Sequence, residues 1–319
     1  MATGAHDPPI RPSKTCPSNP LSRKNIVNSA KRPIPWNDIG LLATILIWAG
    51  NMSIVKQSFA SMPPLAFNSV RFFFVPILML SIVWFVEKSI SIERSLWRDA
   101  ILVGLIGNAG YQVFFMIGLS MTSAATSALL IATTPIWVAL ISQVRGWEKL
   151  SRTGWIGIVI SFIGVFVILF NGAAMSTKSI IGDILILIAS MCWAYYTIGA
   201  KPMLAKYSPL RVTAVTLTIG GIPLILIGLS EVLTVNWVAV PWKGWAGMAY
   251  SVVLSIALAY ILWYNGVVKV GPTRTGIYAS LLPAAGVISA YLILGDPITT
   301  RDLIGTVAIV GGLLLTRRG

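Results

Sequence analysis

Residues 47–72 read IWAGNMSIVKQSFASMPPLAFNSVRF, and two apolar runs meet within this stretch. The stretch nevertheless carries Asn51, Lys56, Asn68 and Arg71. If the two runs cross a lipid bilayer, two cations and two amides lie where hydrocarbon is the expected solvent. The interpretation of these four side chains therefore depends on whether the chain is a membrane protein.

The composition of the chain is typical of a polytopic membrane protein. Of its 319 residues 56% are hydrophobic and 11% are charged, with a mean hydropathy of +0.81. A soluble globular domain carries about 25% charged residues. Apolar runs recur along the chain, and each is close to the ~20 residues that a transmembrane helix needs.

These apolar runs predict ten transmembrane helices. They are too long for the strands of a membrane barrel, and apolar and polar residues do not alternate along them. The predicted spans are 38–58, 64–86, 99–119, 124–144, 154–171, 181–203, 209–230, 244–266, 273–294 and 302–316.

Residues 1–35 differ from the rest of the chain. They hold seven prolines, six Lys or Arg residues and His6, without an apolar core that would indicate a secretory signal. We interpret them as a disordered, basic, cytoplasmic tail. Cys16 and Cys192 lie far apart, so no metal-binding spacing or disulfide framework is predicted. No cofactor or metal is expected.

The positive charge of the chain is explained by membrane topology. If the N-terminus is cytoplasmic, the tail and the cytoplasmic loops carry 19 Lys or Arg residues of the 24 in the chain. The opposite side carries three, namely Lys178, Lys243 and Arg301. Positive residues concentrate on the cytoplasmic side of membrane proteins, which predicts that both termini are cytoplasmic. The net charge of +14 therefore does not indicate a nucleic-acid partner.

The chain contains an internal repeat with two offsets. A shift of 145 residues aligns Asp38 with Asp183, Trp48 with Trp193, Lys56 with Lys201 and Pro64 with Pro209. A shift of 148 residues aligns Gly118 with Gly266, Pro135 with Pro283, Glu148 with Asp296, Gly157 with Gly305 and Gly164 with Gly312. Five helices per repeat is an odd number, so the second repeat enters the membrane upside down, as in many transporters. The alternative is an old duplication retained only for stability.

Several motifs resemble the EamA-type members of the drug/metabolite transporter superfamily. They are WAGNMSIVK with PPLAFNSVR, GWEKLSRTGWIGIVISFIGVFVI, and LGDPITTRDLIGTVAIVGGLLL. The resemblance implies a ten-helix fold that works by alternating access, with a central cavity lined by helices 1–4 and 6–9. The predicted domains are the tail 1–35 and two EamA-like repeats, 36–171 and 181–316. One departure from symmetry is that Arg71 has Thr216 at its repeat position.

Arg71 is the strongest candidate for contact with a substrate. It lies seven residues past Pro64, about 10 Å into the second helix. None of the ten acidic residues falls in mid-membrane. Asp38 and Asp183, which belong to predicted spans, lie at the beginning of their helices. We therefore expect Arg71, together with Lys56, to bind a substrate carboxylate or phosphate. The alternative is that Arg71 reaches the membrane surface or bonds backbone carbonyls.

Other polar and aromatic residues within the spans complete the predicted substrate site. Amides and aromatic rings could line the cavity, and prolines at repeat positions 135 and 283 break their helices. The alternatives are interhelical hydrogen bonds for the amides, anchoring at the membrane interface for the aromatic residues and packing kinks for the prolines. The full set is Arg71, Lys56, Asn51, Trp48, Asn108, Tyr111, Pro135, Tyr195, Tyr260 and Pro283.

The predicted function is secondary transport of small metabolites through the lipid bilayer of the cell (inner) membrane, as an exporter of amino acids or related organic acids. The rivals are a drug exporter, a nucleotide-sugar or sugar-phosphate exchanger and, from another class, a membrane scaffold or receptor. An enzyme is not expected, since no acid pair or metal cluster lies within the spans. A eukaryotic organelle is the alternative membrane, and a monomer is one assembly that the sequence allows.

Overall fold

The structure, a computed structural model, consists of apolar helices. It describes residues 36–144, 151–169, 176–270, 278–279 and 281–318. All regular secondary structure in these ranges is helical. The predicted tail 1–35, the charged loop residues Arg145, Glu148 and Lys149, and Arg274 lie outside the described residues.

Each predicted apolar run coincides with a helix where it is described. The helices are α1 (Trp36–Ser58), α2 (Pro64–Glu87), α3 (Arg94–Met121), α4 (Ala124–Val144), α5 (Arg152–Leu169), α6 (Thr177–Gly199), α7 (Pro209–Thr234), α8 (Trp242–Ala249, Tyr250–Leu258 and Ala259–Val270 in succession), α9 (Leu282–Leu294) and α10 (Thr300–Arg318). Seven helices of the described chain, α1–α4 and α6–α8, are long and apolar enough to cross a membrane. Helices α5 and α9 are shorter apolar helices, and α10 has charged residues at both ends.

The helices pack in pairs that respect the repeat. Helix α5 packs on its repeat partner α10, and α2 packs on its repeat partner α7. Helix α3 packs on α6, and the repeat-related pair, α8 and α1, packs in the same way. At the α5–α10 contact, Gly157 faces the carbonyl of Gly312, and Gly164 faces the carbonyl of Gly305. Gly157 and Gly305 are repeat partners, as are Gly164 and Gly312, so exchanging the two repeats maps one contact onto the other. The absence of side chains at these glycines therefore lets α5 and α10 pack closely.

Charged side chains connect the helix pair α2–α7 at both of its ends. Arg211 Nε at the start of α7 lies 2.8 Å from Glu87 Oε2 at the end of α2. At the opposite end, Glu231 Oε2 accepts hydrogen bonds from the backbone amides of Leu65 (2.9 Å) and Ala66 (3.0 Å). A carboxylate at a helix N-terminus is stabilised by the free amides and the helix dipole. These contacts fix the relative height of α2 and α7.

Four helices are irregular, and their irregularities occur in repeat-related pairs. Helix α3 contains a π-helical segment, Val103–Gly110, and α8 contains another, Tyr250–Leu258, about 148 residues later. Helix α4 is interrupted between Ile131 and Thr134, and α9 begins at Leu282 after a turn. In both cases the helix restarts one residue before a proline, which lacks the amide needed to continue the ladder. The predicted break at Pro135 is confirmed, and α9 begins one residue before Pro283, where most of the preceding predicted span lies outside the described residues.

Candidate functional site

Arg71 lies on α2 where this helix faces α3 and α8, and only 2% of its surface is exposed. Its Nη1 donates a hydrogen bond to Ser251 Oγ in the π-helical segment of α8 (2.8 Å). Its Nη2 donates to Asn68 Oδ1 (2.8 Å) and to the Gln112 side chain on α3. Among the described residues Arg71 therefore neither reaches the surface nor bonds a backbone carbonyl, and that alternative is wrong. We call Arg71, Asn68, Gln112 and Ser251 the arginine cluster.

The hydrogen-bond partners of the Arg71 guanidinium within the described residues are all neutral. The ion pairs of the described chain are Glu87–Arg211 and Glu93–Lys206, and neither involves Arg71. Its carbon Cζ lies 5.3 Å from the ring centre of Phe72 and 5.9 Å from that of Phe67, within range of a cation–π contact. A buried charge without a counter-ion costs several kcal/mol, which an anion at this position would offset.

An aromatic cluster lies beside the arginine cluster. It consists of Trp48 on α1, Tyr111 on α3, Trp193 on α6 and Tyr260 on α8. The Trp193 ring lies 6.4 Å from Trp48, 5.1 Å from Tyr111 and 5.8 Å from Tyr260 between ring centres. The Trp48 Nε1 donates a hydrogen bond to the Ser255 carbonyl (3.0 Å) in the π-helical segment of α8. Three of the four predicted aromatic candidates therefore meet in one place.

The two clusters are joined through α3 and α8. Tyr111 of the aromatic cluster is followed directly by Gln112 of the arginine cluster. Likewise Ser251, which binds Arg71, and Ser255, which binds Trp48, belong to the same π-helical segment. π-Helical segments occur frequently at functional sites, because they change which side chains share a face. Charged and aromatic groups thus form one continuous candidate site among five helices.

Buried amides with free hydrogen-bonding atoms occur on α1, α2 and α3, the helices that carry much of this site. Within the described residues, Asn51 Oδ1, Asn68 Nδ2, Asn108 Nδ2 and Arg71 Nε are buried and make no hydrogen bond. Asn51 follows Trp48 by one helical turn, and Asn108 precedes Gln112 by four residues. Leaving a buried polar group unsatisfied costs about 1–3 kcal/mol. The three free amide atoms, together with the Nε of Arg71 itself, are therefore suited to binding a polar solute.

Lys56 is placed differently from the prediction. Its Nζ donates hydrogen bonds to the carbonyls of Leu119 (2.9 Å) and Thr122, at the end of α3. Leu119 lies seven residues beyond Gln112, about 10 Å further along the helix. The structure therefore does not bring Lys56 to the arginine cluster, and its contacts are those of a cation at a helix C-terminus.

The remaining predicted residues also lie apart from the two clusters. Tyr195 packs against a smaller hydrophobic cluster that includes Val103 and Met203, and no ring contact joins it to the aromatic cluster within the described residues. Pro135 sits at the interruption of α4, where the Ile131 carbonyl accepts a hydrogen bond from Thr134 Oγ1 (2.7 Å). Pro283 is buried in the first turn of α9.

Four members of the site were missing from the predicted set, namely Asn68, Gln112, Trp193 and Ser251, although Asn68 lies only three residues before Arg71. Gln112 lies one turn from Asn108, and Trp193 is the repeat partner of Trp48, so both carried a signal in the sequence. Ser251 carried none, because its meeting with Arg71 spans 180 residues and depends on the π-helical segment of α8. Within the described chain, no group of three or more His, Cys, Asp or Glu side chains is arranged to hold a metal ion.

Comparison with known proteins identifies the family. The model of the EamA-like transporter family matches twice, at residues 35–170 and 180–318. The chain belongs to the EamA-like transporter family. The resemblance seen in the sequence motifs is thereby confirmed.

Relatives of this EamA-like transporter occur in bacteria and archaea. The uncharacterized transporter YyaM of Bacillus subtilis is 26% identical over 283 residues, which cover 86% of this chain and 92% of the relative. An uncharacterized transporter of Archaeoglobus fulgidus is 28% identical over 282 residues, covering 86% of this chain and 95% of its own. A solved crystal structure of a protein has a TM-score of 0.61 at 19% identity, with 89% of this chain and 98% of that chain covered, and shows the fold alone.

The two halves of this EamA-like transporter differ chemically at the site. Thr216, the repeat partner of Arg71, is fully buried and donates its hydroxyl to the Val212 carbonyl of its own helix (2.8 Å). The site therefore has one cation, supplied by the first repeat, and is not symmetric. Multi-pass membrane insertion and a transport role follow from membership of the family, whereas the substrate has to be inferred from the site.

Proposed function

We propose that this EamA-like transporter exports amino acids or related organic acids across the cell membrane by alternating access. The observation that carries the proposal is Arg71, a buried guanidinium with neutral hydrogen-bond partners beside an aromatic cluster. A carboxylate is the natural partner of a guanidinium, and the two can form paired hydrogen bonds. The aromatic cluster would take the apolar part of the same solute.

The proposed topology has ten membrane crossings with both termini in the cytoplasm. With this orientation the ion pairs Glu87–Arg211 and Glu93–Lys206 lie at the cytoplasmic end of the bundle, where the loops are rich in Lys and Arg. Helices α5, α9 and α10 would be the additional crossings beyond the seven that length and composition support. The substrate would then bind between the two repeats, near the middle of the membrane.

Alternating access is supported by the pairing of the irregular segments. The π-helical segments of α3 and α8 are related by the repeat; the segment of α8 supplies Ser251 of the arginine cluster, and the segment of α3 ends at Gly110, directly before Tyr111 and Gln112. Exchanging the conformations of two inverted repeats converts an inward-open into an outward-open state. Residues that both contact the solute and lie in irregular helix segments are well placed to link binding to such a change.

Counterflow in proteoliposomes tests the proposal. The purified protein is reconstituted, and amino acids, organic acids and nucleotide sugars are compared as solutes for wild type, Arg71→Gln and Arg71→Lys. We expect counterflow of a carboxylate-bearing solute, with an apparent affinity about 10- to 150-fold lower in Arg71→Gln, because a hydrogen bond to a charged group is worth about 1.5–3 kcal/mol. Arg71→Lys keeps the charge and should retain part of the affinity.

Arg211→Gln is the matched control, since it removes the same side chain from the ion pair with Glu87 and not from the site. Its counterflow should resemble that of wild type. Unchanged affinity in Arg71→Gln would show that Arg71 does not contact the solute. Absence of counterflow for every solute in the panel would contradict the transport of small organic acids.

A further inference from the structure

Asn51 lies on the face of α1 that packs against α8. Seven residues before it, Thr44 Oγ1 donates a hydrogen bond to the Ala259 carbonyl of α8 (3.4 Å). Three residues after it, Ile54 lies next to Gly247 of α8, where an added methyl group would be 3.3 Å from Ile54 Cγ2. Positions 44, 51 and 54 belong to one helix face, so the side chain of Asn51 is directed towards α8 as well.

The part of α8 that Asn51 faces is the part that holds the arginine cluster. The two contacts above show that α1 and α8 run antiparallel, which places Asn51 opposite Tyr250 and Ser251. Tyr250 Oη accordingly donates a hydrogen bond to the Ile47 carbonyl, one turn before Asn51 (3.0 Å). Ser251 accepts the hydrogen bond from Arg71 Nη1 (2.8 Å). Asn51 and Arg71 therefore approach the same turn of α8 from two different helices.

The free polar atoms of the site divide into donors and one acceptor. Arg71 Nε, Asn68 Nδ2 and Asn108 Nδ2 are donors, whereas Asn51 Oδ1 is an acceptor, and none of the four makes a hydrogen bond within the described residues. A carboxylate only accepts hydrogen bonds, so it can satisfy the donors and cannot satisfy Asn51 Oδ1. Asn51 is 8% exposed, and an acceptor buried to this extent is costly unless a donor reaches it.

We propose that Asn51 binds the ammonium group of the solute and thereby selects α-amino acids over acids that lack an amino group. An α-amino acid carries its ammonium and its carboxylate on the same carbon atom, so a carboxylate held by Arg71 places the ammonium close by. The ring of Trp48, one turn before Asn51, can add a cation–π contact. This inference rests on the proposed function, because it takes Arg71 as the partner of the carboxylate, and it narrows the class of solutes.

Isothermal titration calorimetry on the purified, detergent-solubilised protein tests the role of Asn51. Leucine is compared with isocaproate, and phenylalanine with hydrocinnamate, since the members of each pair differ only in the amino group. We expect wild type to bind the amino acid about tenfold or more tightly, because a hydrogen bond to a charged group is stronger than one between neutral groups. Asn51→Leu, which keeps the approximate volume and removes the acceptor, should bind the two members of a pair with similar affinity.

Two further variants separate an acceptor role from a role in packing. Asn51→Thr keeps an oxygen that can accept a hydrogen bond, so it should retain part of the preference for the amino acid. Ser53→Ala is the matched control on the same helix. Ser53 is fully buried, and its Oγ accepts a hydrogen bond from Ser289 Oγ of α9 (3.1 Å), so it is directed away from the arginine cluster. Ser53→Ala should keep the preference of wild type.

The possible failures of this inference and of the proposed function give different results. If wild type binds isocaproate and hydrocinnamate as tightly as the amino acids, the ammonium is not recognised, and the inference is overturned while the export of organic acids stands. A full preference for the amino acid in Asn51→Leu would likewise overturn the inference, because the ammonium would then be bound elsewhere. If wild type binds none of the four solutes, the result contradicts the proposed function and the inference together.

Discussion

Two adjacent glycines of α10, Gly311 and Gly312, are predicted to respond in opposite ways to the same substitution. A methyl group added at Gly312 would lie 2.7 Å from the Ser161 backbone nitrogen and closer still to the Gly157 carbonyl of α5. A methyl group added at Gly311 meets nothing within 4 Å. The two positions therefore differ only in whether α5 is in the way.

The magnitude follows from this geometry. Non-bonded contacts are comfortable at about 3.5 Å, so the 2.7 Å approach to the Ser161 nitrogen alone requires α5 and α10 to move apart by at least about 0.8 Å in Gly312→Ala. Overpacking of this kind costs about 1–3 kcal/mol. Gly311→Ala instead gains about 0.5–1 kcal/mol, because alanine loses less backbone entropy in a helix than glycine. The free energies of unfolding of the two variants should differ by about 1.5–4 kcal/mol.

Equilibrium unfolding of the purified protein in mixed detergent micelles, followed by circular dichroism, measures this difference. Gly312→Ala should unfold before wild type, and Gly311→Ala at or after it. Should Gly312→Ala prove as stable as Gly311→Ala, the close α5–α10 contact would be refuted. The two-fold relation between Gly157–Gly312 and Gly164–Gly305 would fail with it.

Three further substitutions test other contacts. Lys56→Met should destabilise the fold by about 1–3 kcal/mol, because two carbonyls at the end of α3 lose their hydrogen-bond donor, and it should leave the affinity for a transported acid unchanged. A large loss of affinity at wild-type stability would instead place Lys56 in the substrate site. Glu231→Gln should lower stability by about 0.3–1 kcal/mol by removing a charge from the N-terminus of α2, and unfolding that matches wild type would argue against this cap. Lys206 holds the pKa of Glu93 below its ordinary value through a hydrogen bond, so the pair stabilises the fold above the ordinary pKa of Glu, and this stabilisation fades as pH falls. Lys206→Gln should raise the Glu93 pKa, measured by NMR titration, and an unmoved pKa would contradict the contact.

The membrane helices and the repeat could be predicted from the sequence because both depend on local patterns. A run of apolar residues near the length of a bilayer crossing leaves few alternatives to a helix. Pairs such as Gly157 with Gly305 retain the repeat signal, whereas the contacts of these glycines with Gly312 and Gly164 were not predicted and are seen in the structure. Helix ends were less predictable, since α3 extends back to Arg94, through residues whose charges suggested a loop.

The candidate site was predicted in part. Arg71 was identified because a charged side chain within a membrane span is energetically costly and is usually retained for a function. Its partner Ser251 could not be identified, because neither the packing of α2 on α8 nor the π-helical segment has a marker in the sequence. The sequence-based set also included Tyr195 and left out Trp193. These residues lie two positions apart on one helix, so their side chains point about 200° apart, and the sequence does not show which of the two faces points inward.

The most direct test of the central claim compares a transported acid with its uncharged amide in wild type and in Arg71→Gln. Half-saturation for each solute is measured by counterflow in proteoliposomes. Wild type should prefer the acid by about tenfold or more, and Arg71→Gln should treat acid and amide alike, because the guanidinium that distinguishes them is gone. If Arg71→Gln retains the full preference for the acid, the carboxylate is recognised elsewhere, and Arg71 serves only to join α2 to α3 and α8.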